Sequence, residues 1–589
     1  MDRTGIIVVT ICIILLGFWF IAEQKYSSPM PRQQTATNAV AAPKPEVENP
    51  IAASPVPGMA PGFLFDTNVP EELKVITNTH ARYTFTSRGG GLKSVELLDF
   101  PETVSPRWKR EAAANGVATL NTHAAVPVLA ILGAPDLIGD GNFTLTGTDD
   151  GIRAEKSFAN GLRIVKEFHA GSNYLVNATV RLGNTSGKSI SLPAQEWVVG
   201  TATPMGPDDN GTAEGIMWYN GAKDEQISLS YFSTSTTFLF FFSRTPKTEY
   251  LAGANNVVWA AAHNQFFALI AMLNTNQPAQ QVVARPVNLP LEPMPGAPSP
   301  EGIQTALVYP AQTLGTNQVV ERQIVFFAGP KEYRTLARIG EEFQNHADLV
   351  MNFGGFWGFF AKALLLGMNW LHDITRLGYG WVIVLFTVLL RAIFWPLTAA
   401  STRSMKKMQA LAPEVKALKE KYKDDPQKFT QKQMELWKKN KVSPMGGCLP
   451  MAIQMPVFIG FFTMIRSAIE LRGASFLWAR DLSKPDTLFM IPGINFPFNL
   501  LPLLMGGAML WQSHLTPPSP GMDPTQAKIM RYMPLIFLVF LYNYSAGMAL
   551  YMTVSTLLGV VQTKLTKMNQ APITPGAASV LTPPQKKKK

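Results

Sequence analysis

Arg391 is the residue whose chemistry fits least with its surroundings. It lies near the middle of residues 380–400, an apolar run long enough to cross a bilayer. A guanidinium at the centre of a membrane helix costs roughly 2.5–3.5 kcal/mol even on insertion scales, so it is usually paired or hydrated inside the protein. No apolar run of this chain contains Asp or Glu. We therefore predict a hydrated polar chamber within the membrane that accepts polar or acidic groups of a passing polypeptide.

The alternative for Arg391 is that its side chain reaches a lipid headgroup. The residue lies about nine residues, or roughly 14 Å, from the predicted cytoplasmic end of its helix, which makes this reach long.

Two further residues are candidates for the chamber. Thr387 precedes Arg391 by one helical turn and shares its face, and Gln454 lies seven residues inside the apolar run that begins at Gly447. Equally, Thr387 can bond to its own helix and Gln454 can bridge two helices.

The composition indicates a chain divided between membrane and water. Of 589 residues, 47% are hydrophobic, which is too apolar for an ordinary soluble enzyme and too polar for an all-helical transporter. Residues 23–350 hold 24 Lys/Arg against 30 Asp/Glu, whereas the remainder holds 28 against 11. The net charge of +11 therefore combines a mildly acidic domain with a strongly basic membrane region. With only Cys12 and Cys448, we expect neither a disulfide framework nor a Cys-ligated metal.

The first part of the chain predicts an anchored β domain. Residues 1–26 form an N-terminal transmembrane anchor without a small-x-small cleavage site, and residues 27–61 have the composition of a disordered linker. Residues 62–330 predict a periplasmic antiparallel β-sandwich, with a proline-rich loop at 286–300. The clearest strand patterns are at 82–86, 162–169, 174–182, 257–261 and 319–327.

The second part predicts a helical membrane core. Residues 331–378 form a connector with an interfacial amphipathic helix at 356–377. Its predicted apolar residues are Phe356, Phe359, Phe360, Leu364 and Trp370. Residues 401–445 form a cytoplasmic basic hairpin, in which Asp425 caps the second helix and Pro426 is its first residue. The remaining segments are transmembrane helix 2 (379–400), transmembrane helix 3 (446–468), a periplasmic loop (469–498), transmembrane helix 4 (499–515), a cytoplasmic loop (516–528), transmembrane helix 5 (529–544), transmembrane helix 6 (546–563) and a basic cytoplasmic tail (564–589).

The last two apolar runs allow two topologies. A single helix of about 30 residues would put the terminal lysines opposite the basic hairpin, against the positive-inside rule. Two crossings joined by a tight turn at Ser545-Ala546-Gly547 put all basic segments on one side. The predicted fold is therefore multi-domain, with six transmembrane helices, both termini cytoplasmic and the β domain periplasmic.

Sequence motifs give no support for covalent catalysis. The segment Gly183–Ser189 has three residues between its glycines, where a phosphate-binding loop needs four, and strand patterns flank it. Neither a His-Glu-x-x-His pair nor a Gly-x-Ser-x-Gly elbow occurs. We predict no catalytic residue, no metal site and no cofactor, although a pocket built from residues distant in sequence would escape a search for motifs.

Several motifs together resemble one known family. They are Arg391 with Pro396-Leu397-Thr398, the hairpin motifs Met405-Lys406-Lys407-Met408 and Asp424-Asp425-Pro426-Gln427, and the run Val442–Pro450 followed by Ile453–Phe458. In this combination the chain resembles the YidC membrane protein insertases of Gram-negative bacteria along its whole length. Two departures occur. Ser545-Ala546-Gly547 stands where the family commonly has Pro-Ser-Gly, and Met552 stands where an aromatic often follows Tyr551.

The resemblance implies a groove open to lipid and cytoplasm, through which short hydrophilic segments of nascent membrane proteins cross. Its residues here would be Arg391, Thr387, Gln454, Tyr551 and Met552. The implied location is the bacterial inner membrane, and the implied partners are nascent membrane proteins and the Sec translocon. Ribosomes or anionic phospholipids would meet the hairpin and the tail, Lys586, Lys587, Lys588 and Lys589, and no nucleic-acid specificity is expected.

Two other functions are compatible with parts of the sequence. The β domain resembles sandwich folds that bind sugars, so a membrane-anchored carbohydrate-binding or carbohydrate-active protein is one alternative. A small-solute transporter is the other, but that class typically has repeated halves and helices broken at the midplane, which this sequence does not show.

Overall fold

A computed structural model describes residues 65, 68–102, 116–204, 213–233, 235–237, 242–244, 246–274, 276–291, 301–440, 449–493, 496–515 and 524–568. The predicted anchor and linker before residue 62 lie outside the described residues, and so do both cysteines and the lysines at 586–589. The described chain has a β-rich first part and a helical second part.

The β-rich part is built from antiparallel strands. Its strands are β1 Leu73–Thr77, β2 Ala81–Thr86, β3 Gly91–Pro101, β4 Val117–Leu120, β5 Ile131–Gly133, β6 Thr144–Gly147, β7 Gly151–Ser157, β8 Leu162–Ala170, β9 Leu175–Asn184, β10 Ile190–Leu192, β11 Gln195–Ala202, β12 Gly215–Tyr219, β13 Asp224–Ser228, β14 Ser235–Thr237, β15 Phe242–Arg244, β16 Tyr250–Ala252, β17 Trp259–His263, β18 Phe267–Leu273, β19 Gln281–Asn288, β20 Glu301–Tyr309, β21 Gln312–Leu314 and β22 Val319–Pro330. A short helix, α1, spans Pro135–Ile138.

These strands form one large sheet and several smaller ones. The nine-stranded sheet has the order β13-β12-β17-β18-β22-β9-β8-β7-β6, the five-stranded sheet the order β16-β19-β20-β11-β5, and the four-stranded sheet the order β1-β2-β3-β4. Buried side chains of all three sheets belong to one hydrophobic cluster, with Trp197 and Trp259 among its completely buried members. Strands that were predicted at 82–86, 162–169, 174–182, 257–261 and 319–327 coincide with β2, β8, β9, β17 and β22, with shifts of a few residues at their ends.

The burial pattern of each strand depends on whether one or both faces of the sheet are covered at that strand. In β9, Val176, Ala178, Val180 and Leu182 are buried while the residues between them are more exposed, as alternation in a half-covered strand requires. In β18 all seven residues are buried. The neighbouring Trp259 donates its indole N–H to the Asn345 carbonyl at 2.8 Å, which places the following helical segment over this part of the sheet. The sheet centre is therefore covered on both faces.

The prediction of a loop over 286–300 was wrong at its start. Pro286 lies within β19 and pairs in register with Ile303 of β20. The other neighbour, β16, pairs only with Val282–Ala284, so Pro286 faces no strand on that side. A proline has no N–H to donate and is tolerated where a strand has a free edge. Residues 292–300 lie outside the described residues.

The second part is helical apart from one hairpin. Its helices are α2 Tyr333–Glu342, α3 Gly355–Thr375, α4 Tyr379–Ala410, α5 Ala412–Lys421, α6 Pro426–Lys439, α7 Leu449–Ile465, α8 Leu500–Leu515, α9 Pro524–Leu541 and α10 Ala546–Met568, and the hairpin strands are β23 Thr487–Ile491 and β24 Phe496–Asn499. The helix that was expected to end at residue 400 continues to Ala410, because no glycine or proline follows Pro396 before Pro413. The segment 530–561 is two helices with a break between Leu541 and Ala546.

Two of these helices are long and apolar enough to cross a membrane, namely Tyr379–Ala410 and Ala546–Leu565. A shorter apolar helix covers Gln454–Ile465. Helices α3 and α7 pack closely, since a Cβ atom on Gly460 would come within 2.8 Å of the Cβ of Phe360. The predicted apolar face of α3 divides in two: Leu364 is buried, whereas Phe356, Phe359 and Trp370 point outward with 66%, 66% and 58% of their surface exposed.

Lys166 is a completely buried cation in the core of the β-rich part. Its Nζ donates to the Gly89 carbonyl at 2.6 Å and to the Leu129 carbonyl at 2.7 Å, and it lies 4.5 Å from the centroid of the Phe143 ring. Burial, with a smaller effect of the nearby Lys156 charge, lowers the pKa of Lys166 to about 7. This side chain ties β8 to two segments between the strands of the smaller sheets.

We predict that Lys166→Met lowers the free energy of unfolding by about 1–3 kcal/mol, because two buried carbonyl groups lose their donor. Thermal unfolding of the purified chain measures the effect. Lys223→Met, a change of the same type at an exposed lysine, serves as the control and should leave the melting temperature unchanged. An unchanged melting temperature for Lys166→Met would show that these bonds contribute nothing net.

The same lysine gives a pH dependence with a defined sign. Its pKa is lower in the folded chain than the usual value of about 10.4, so between about pH 7 and pH 10 the unfolded chain binds more protons and stability rises with pH. We predict that the wild-type chain gains more stability than Lys166→Met over this interval. Denaturant unfolding at each pH measures the free energy of unfolding of both proteins. An equal gain in the two proteins would show that Lys166 does not cause the pH dependence.

Candidate functional site

The polar side chains of the helical part converge at Arg391. Arg391 lies on α4, Gln454 on α7, and Tyr551 and Ser555 on α10. We call these four residues the Arg391 cluster. They come from three helices that are far apart in sequence. The packing of the three helices therefore builds the cluster.

Ser555 is the direct partner of the guanidinium. The Nε and one Nη atom of Arg391 donate to the Ser555 Oγ at 3.3 and 3.0 Å. Ser555 is 4% exposed and Arg391 is half-buried. No carboxylate of the described residues forms an ion pair with Arg391, and its remaining guanidinium N–H groups have no acceptor among those residues. A hydroxyl partner leaves the positive charge of Arg391 uncompensated.

Gln454 joins the same group from α7. Its Nε2 donates to the Tyr551 hydroxyl at 2.6 Å and lies 3.5 Å from the Ser555 Oγ. The amide thus bridges α7 and α10, as one of the two sequence-based interpretations held. The same amide also lies beside Ser555, the partner of Arg391, as the interpretation of a shared polar chamber required.

Tyr551 and Met552 differ in their roles. Tyr551 is 1% exposed and stacks on Phe461, with ring centroids 4.3 Å apart and planes inclined by 17°. Its ring fixes α10 against α7 while its hydroxyl accepts from Gln454. Met552 is partly buried and packs against the hydrophobic core. Tyr551 therefore belongs to the polar cluster, whereas Met552 belongs to the apolar packing around it.

Gly559 lies beside the guanidinium on the same face of α10 as Ser555. A Cβ atom at this position would lie 3.4 Å from one Nη of Arg391 and 2.9 Å from the Nε2 of Gln512, a residue of α8. A methyl group here would be in ordinary contact with the guanidinium and would require the Gln512 amide to shift. Farther along α10, Gln562 donates to the hydroxyl of Thr398 and, at 3.4 Å, to the Trp395 carbonyl, which links α10 to α4 again.

Thr387 lies outside the cluster. Its hydroxyl donates to the Ile383 carbonyl at 2.6 Å, and the residue is 1% exposed. This bond within its own helix is the alternative that the sequence left open for Thr387. A hydroxyl that satisfies the carbonyl of the preceding turn is common in membrane helices. Sharing a helical face with Arg391 did not make it a partner.

Sequence reasoning missed Ser555, Gly559 and Gln512. Serine and glycine are frequent in membrane helices, so neither attracts attention alone. A usable signal was the spacing of Tyr551, Ser555 and Gly559, which recur every fourth residue and share one face of α10. That face turns toward Arg391.

Of the residues predicted for the hairpin, Asp425 and Pro426 are placed as expected. The Asp425 Oδ1 accepts from the Lys428 backbone N–H at 3.0 Å and caps α6, and Pro426 is the first residue of that helix. Lys407 is exposed near the end of α4. The side chain of Lys406 lies outside what the structure describes, as do Lys586–Lys589.

Apolar side chains project outward from the helix that carries Arg391. Exposed members on α4 are Val388, Leu389, Ile393, Trp395 and Leu397, with Ile393 the most exposed at 67%. In water such a surface would be unfavourable, whereas in lipid it is the expected exterior. The site therefore combines a cationic, hydrogen-bonding cluster with an adjoining apolar surface. This arrangement can solvate a polar or acidic group beside a hydrophobic segment.

Comparisons with known proteins agree with this division of the chain. A family described as 60Kd inner membrane protein matches residues 370–572, and one described as YidC periplasmic domain matches residues 74–366. A membrane protein insertase YidC of Laribacter hongkongensis is 30% identical over 583 residues, which is 95% of this chain and 97% of the relative. That of Oleidesulfovibrio alaskensis is 29% identical over 592 residues, 95% of this chain and 98% of the relative.

A solved structure described as an active YidC insertase with its first transmembrane domain resolved is 18% identical to this chain. The similarity covers 85% of this chain and 95% of that chain, with a TM-score of 0.33.

We predict that Arg391 and Ser555 are energetically coupled. In a double-mutant cycle with Arg391→Met and Ser555→Ala, the change in unfolding free energy of the double variant should differ from the sum of the single changes by about 0.5–3 kcal/mol. Thr553→Val on the same helix is the control, because the Thr553 hydroxyl donates to its own helix at Ala549. Additive changes for the Ser555 pair in thermal unfolding would contradict the bond.

Proposed function

The chain belongs to the YidC family of membrane protein insertases, and we propose that it inserts nascent membrane proteins by solvating their short hydrophilic segments at the Arg391 cluster. Apolar segments of the same substrate would pass along the outward apolar surface of α4 into lipid. Insertion is the activity named for relatives that match 95% of this chain. The cluster gives that activity a physical basis in this sequence.

The observation that carries the mechanism is a guanidinium whose described partner is a neutral hydroxyl. Arg391 donates two N–H groups to the Ser555 Oγ. A carboxylate from the substrate would supply a charge-assisted partner that these helices lack among their described residues. Because Ser555 and Gln454 are neutral, such a carboxylate would meet no fixed negative charge in the cluster. The site therefore favours acidic or polar tails over basic ones.

Two energy terms would drive transfer without a nucleotide. Burial of the apolar segment of the substrate in lipid contributes about 25 cal/mol per Å² of apolar surface. The membrane potential contributes about 2.3 kcal/mol per elementary charge per 100 mV, and its sign favours outward movement of an anion. The cluster would lower the barrier by replacing part of the water lost from the tail.

The topology belongs to this proposal. We place both termini and the hairpin of α5 and α6 in the cytoplasm and the β domain in the periplasm, with six crossings of the inner membrane, because this arrangement puts the basic segments on the cytoplasmic side. The exposed aromatic side chains of α3 suit a helix lying at the membrane surface. The hairpin and the lysine tail would contact ribosomes or anionic phospholipids, and the Sec translocon would be a further partner.

The carbohydrate-binding alternative gains no support from the relatives. Those matching 95% of the chain, including its β-rich part, are named insertases. In this proposal the β domain is an accessory to insertion and performs no covalent chemistry.

We predict that Arg391 acts through its charge. Arg391→Lys should keep most insertion activity, whereas Arg391→Ala should reduce insertion about tenfold for a tail with two carboxylates and much less for an uncharged tail, since tenfold corresponds to about 1.4 kcal/mol. Reconstituted vesicles and matched substrates with zero, one or two tail carboxylates measure the series.

Ser555→Ala is the matched control for that series, because it removes the bond to Arg391 and leaves the charge. It should preserve the dependence on tail charge. If Arg391→Ala instead reduces all substrates equally and also lowers the melting temperature, the guanidinium serves to hold the helices together and the proposal for this residue fails.

The proposed topology predicts the side from which the hairpin is accessible. With Cys12 and Cys448 replaced by serine, a cysteine at exposed Lys423 should react with an impermeant thiol reagent only from the cytoplasmic side. A cysteine at exposed Lys223 of the β domain should react only from the periplasmic side. Labelling of Lys423→Cys from the periplasm would overturn the topology.

A further inference from the structure

A polar cavity lies where the β domain meets the helical part. Its volume is about 320 Å³, at the lower end of the range for small-ligand pockets. One wall comes from the β domain and includes His263, Asn264 and Lys331. The other comes from the end of α7 and the residues after it, including Arg466 and Ser467. None of the described residues that line the cavity is acidic.

Lys331 supplies a buried amino group to this cavity, and burial lowers its pKa to about 7. An anion bound beside it would favour its charged form. The residue is 3% exposed, and its Nζ donates to the Asn264 carbonyl at 2.7 Å. The same Nζ lies 3.1 Å from the His263 Nδ1. In its charged form the side chain has three N–H donors, so these two contacts leave one donor available.

His263 adds a second donor whose partner is missing. Burial and the neighbouring Lys331 charge lower the pKa of His263 well below its usual range, so the ring is neutral. Nδ1 lies 3.1 Å from the Lys331 Nζ and 3.3 Å from the Asn264 carbonyl. In the tautomer whose Nδ1 accepts from the Lys331 ammonium group, the ring proton is on Nε2. That Nε2 is buried and has no hydrogen-bond partner among the described residues. A buried N–H without an acceptor is costly, so an acceptor that entered the cavity would be stabilised by this group.

The wall from α7 and the residues after it adds an exposed cation and two hydroxyl groups. Arg466 is exposed, and its guanidinium lies 5.6 Å from the centroid of the Phe462 ring. Thr463 and Ser467, which is 8% exposed, line the cavity beside it. Thr463 lies in the last turn of the apolar stretch Gln454–Ile465, and Arg466 and Ser467 follow it directly. In the proposed topology this is the end at which the helix leaves lipid.

We propose that this cavity binds the phosphate of a phospholipid headgroup from the periplasmic leaflet. Donors approach from two opposite walls, and a phosphate, with its several acceptor oxygens, can accept from both at once. The position at the lipid end of α7 brings headgroup phosphates within reach, while inorganic phosphate in solution has the same chemistry. A bound headgroup would join the β domain to the membrane helices through one anion. This inference goes beyond insertion and does not depend on the Arg391 cluster, but it rests on the proposed topology, which puts this end of α7 at the periplasmic side.

The test uses the delipidated full chain in a neutral detergent. A soluble short-chain phosphatidylglycerol, inorganic phosphate and a diacylglycerol of the same chain length are titrated separately, with binding followed by calorimetry and melting temperature. We expect the phosphatidylglycerol to bind and raise the melting temperature and the diacylglycerol to do neither. The Arg466→Gln variant should bind phosphatidylglycerol about tenfold more weakly, because it loses one charged contact. Arg480→Gln, at another exposed arginine of the periplasmic loop, should bind like the wild type.

Each remaining outcome is decisive. His263→Gln provides a second variant, in the opposite wall, and should also weaken binding. An unchanged melting temperature without ligand would show that this variant folds normally. Inorganic phosphate that binds as tightly as the lipid supports a phosphate site and overturns the lipid as its source. Equal binding of phosphatidylglycerol and diacylglycerol, or equal affinity in the wild type, Arg466→Gln and Arg480→Gln, overturns the site.

Discussion

The helical part of this protein depends on the accommodation of one guanidinium between apolar helices. Arg391 needs hydrogen-bond acceptors at a depth where its own helix offers none, and Ser555 on α10 meets that need. The bond links α4 to α10 beside Gly559, where the Gln512 amide of α8 also approaches α10. Gln454 then ties α7 to the same face through Tyr551. Three helices are thus held around a charge that stays uncompensated, and that uncompensated charge is what a substrate carboxylate would use.

A second constraint is the junction between the two parts, which must satisfy polar groups close to lipid. Arg472, in the loop after α7, donates to the Glu102 carbonyl at 2.7 Å and lies 5.2 Å from the Phe267 ring centroid, so it connects this loop with the β domain. On the other side of the loop, Asn369 of α3 donates to the Glu470 carboxyl at 2.9 Å. Burial raises the pKa of Glu470, which favours its protonated form at this junction. The junction is therefore polar and specific, which suits a β domain held at a defined place above the helices.

Much of the fold could be predicted because local physics determines it. Alternation in β9 and the Asp425-Pro426 start of α6 are local signals, and the structure contains both elements. Predictions failed where contacts with neighbouring strands or helices determine the local structure. Pro286 looked like a loop residue, yet an unpaired strand edge accepts it. On α3 the large apolar residues were expected to share a face, but packing against α7 buries Leu364 and leaves Phe359 outside.

The sequence by itself determined that a cation lies inside an apolar span with no acidic residue to pair with it, and hence that a neutral or external partner was required. The tertiary structure alone decided which groups meet it. Ser555 is 164 residues from Arg391, and Gln454 is 97 residues from Tyr551. Thr387, only one turn away, directs its hydroxyl to its own backbone. Hydrogen bonds are short and directional, so helix packing and side-chain rotamers select the partners, and sequence proximity does not.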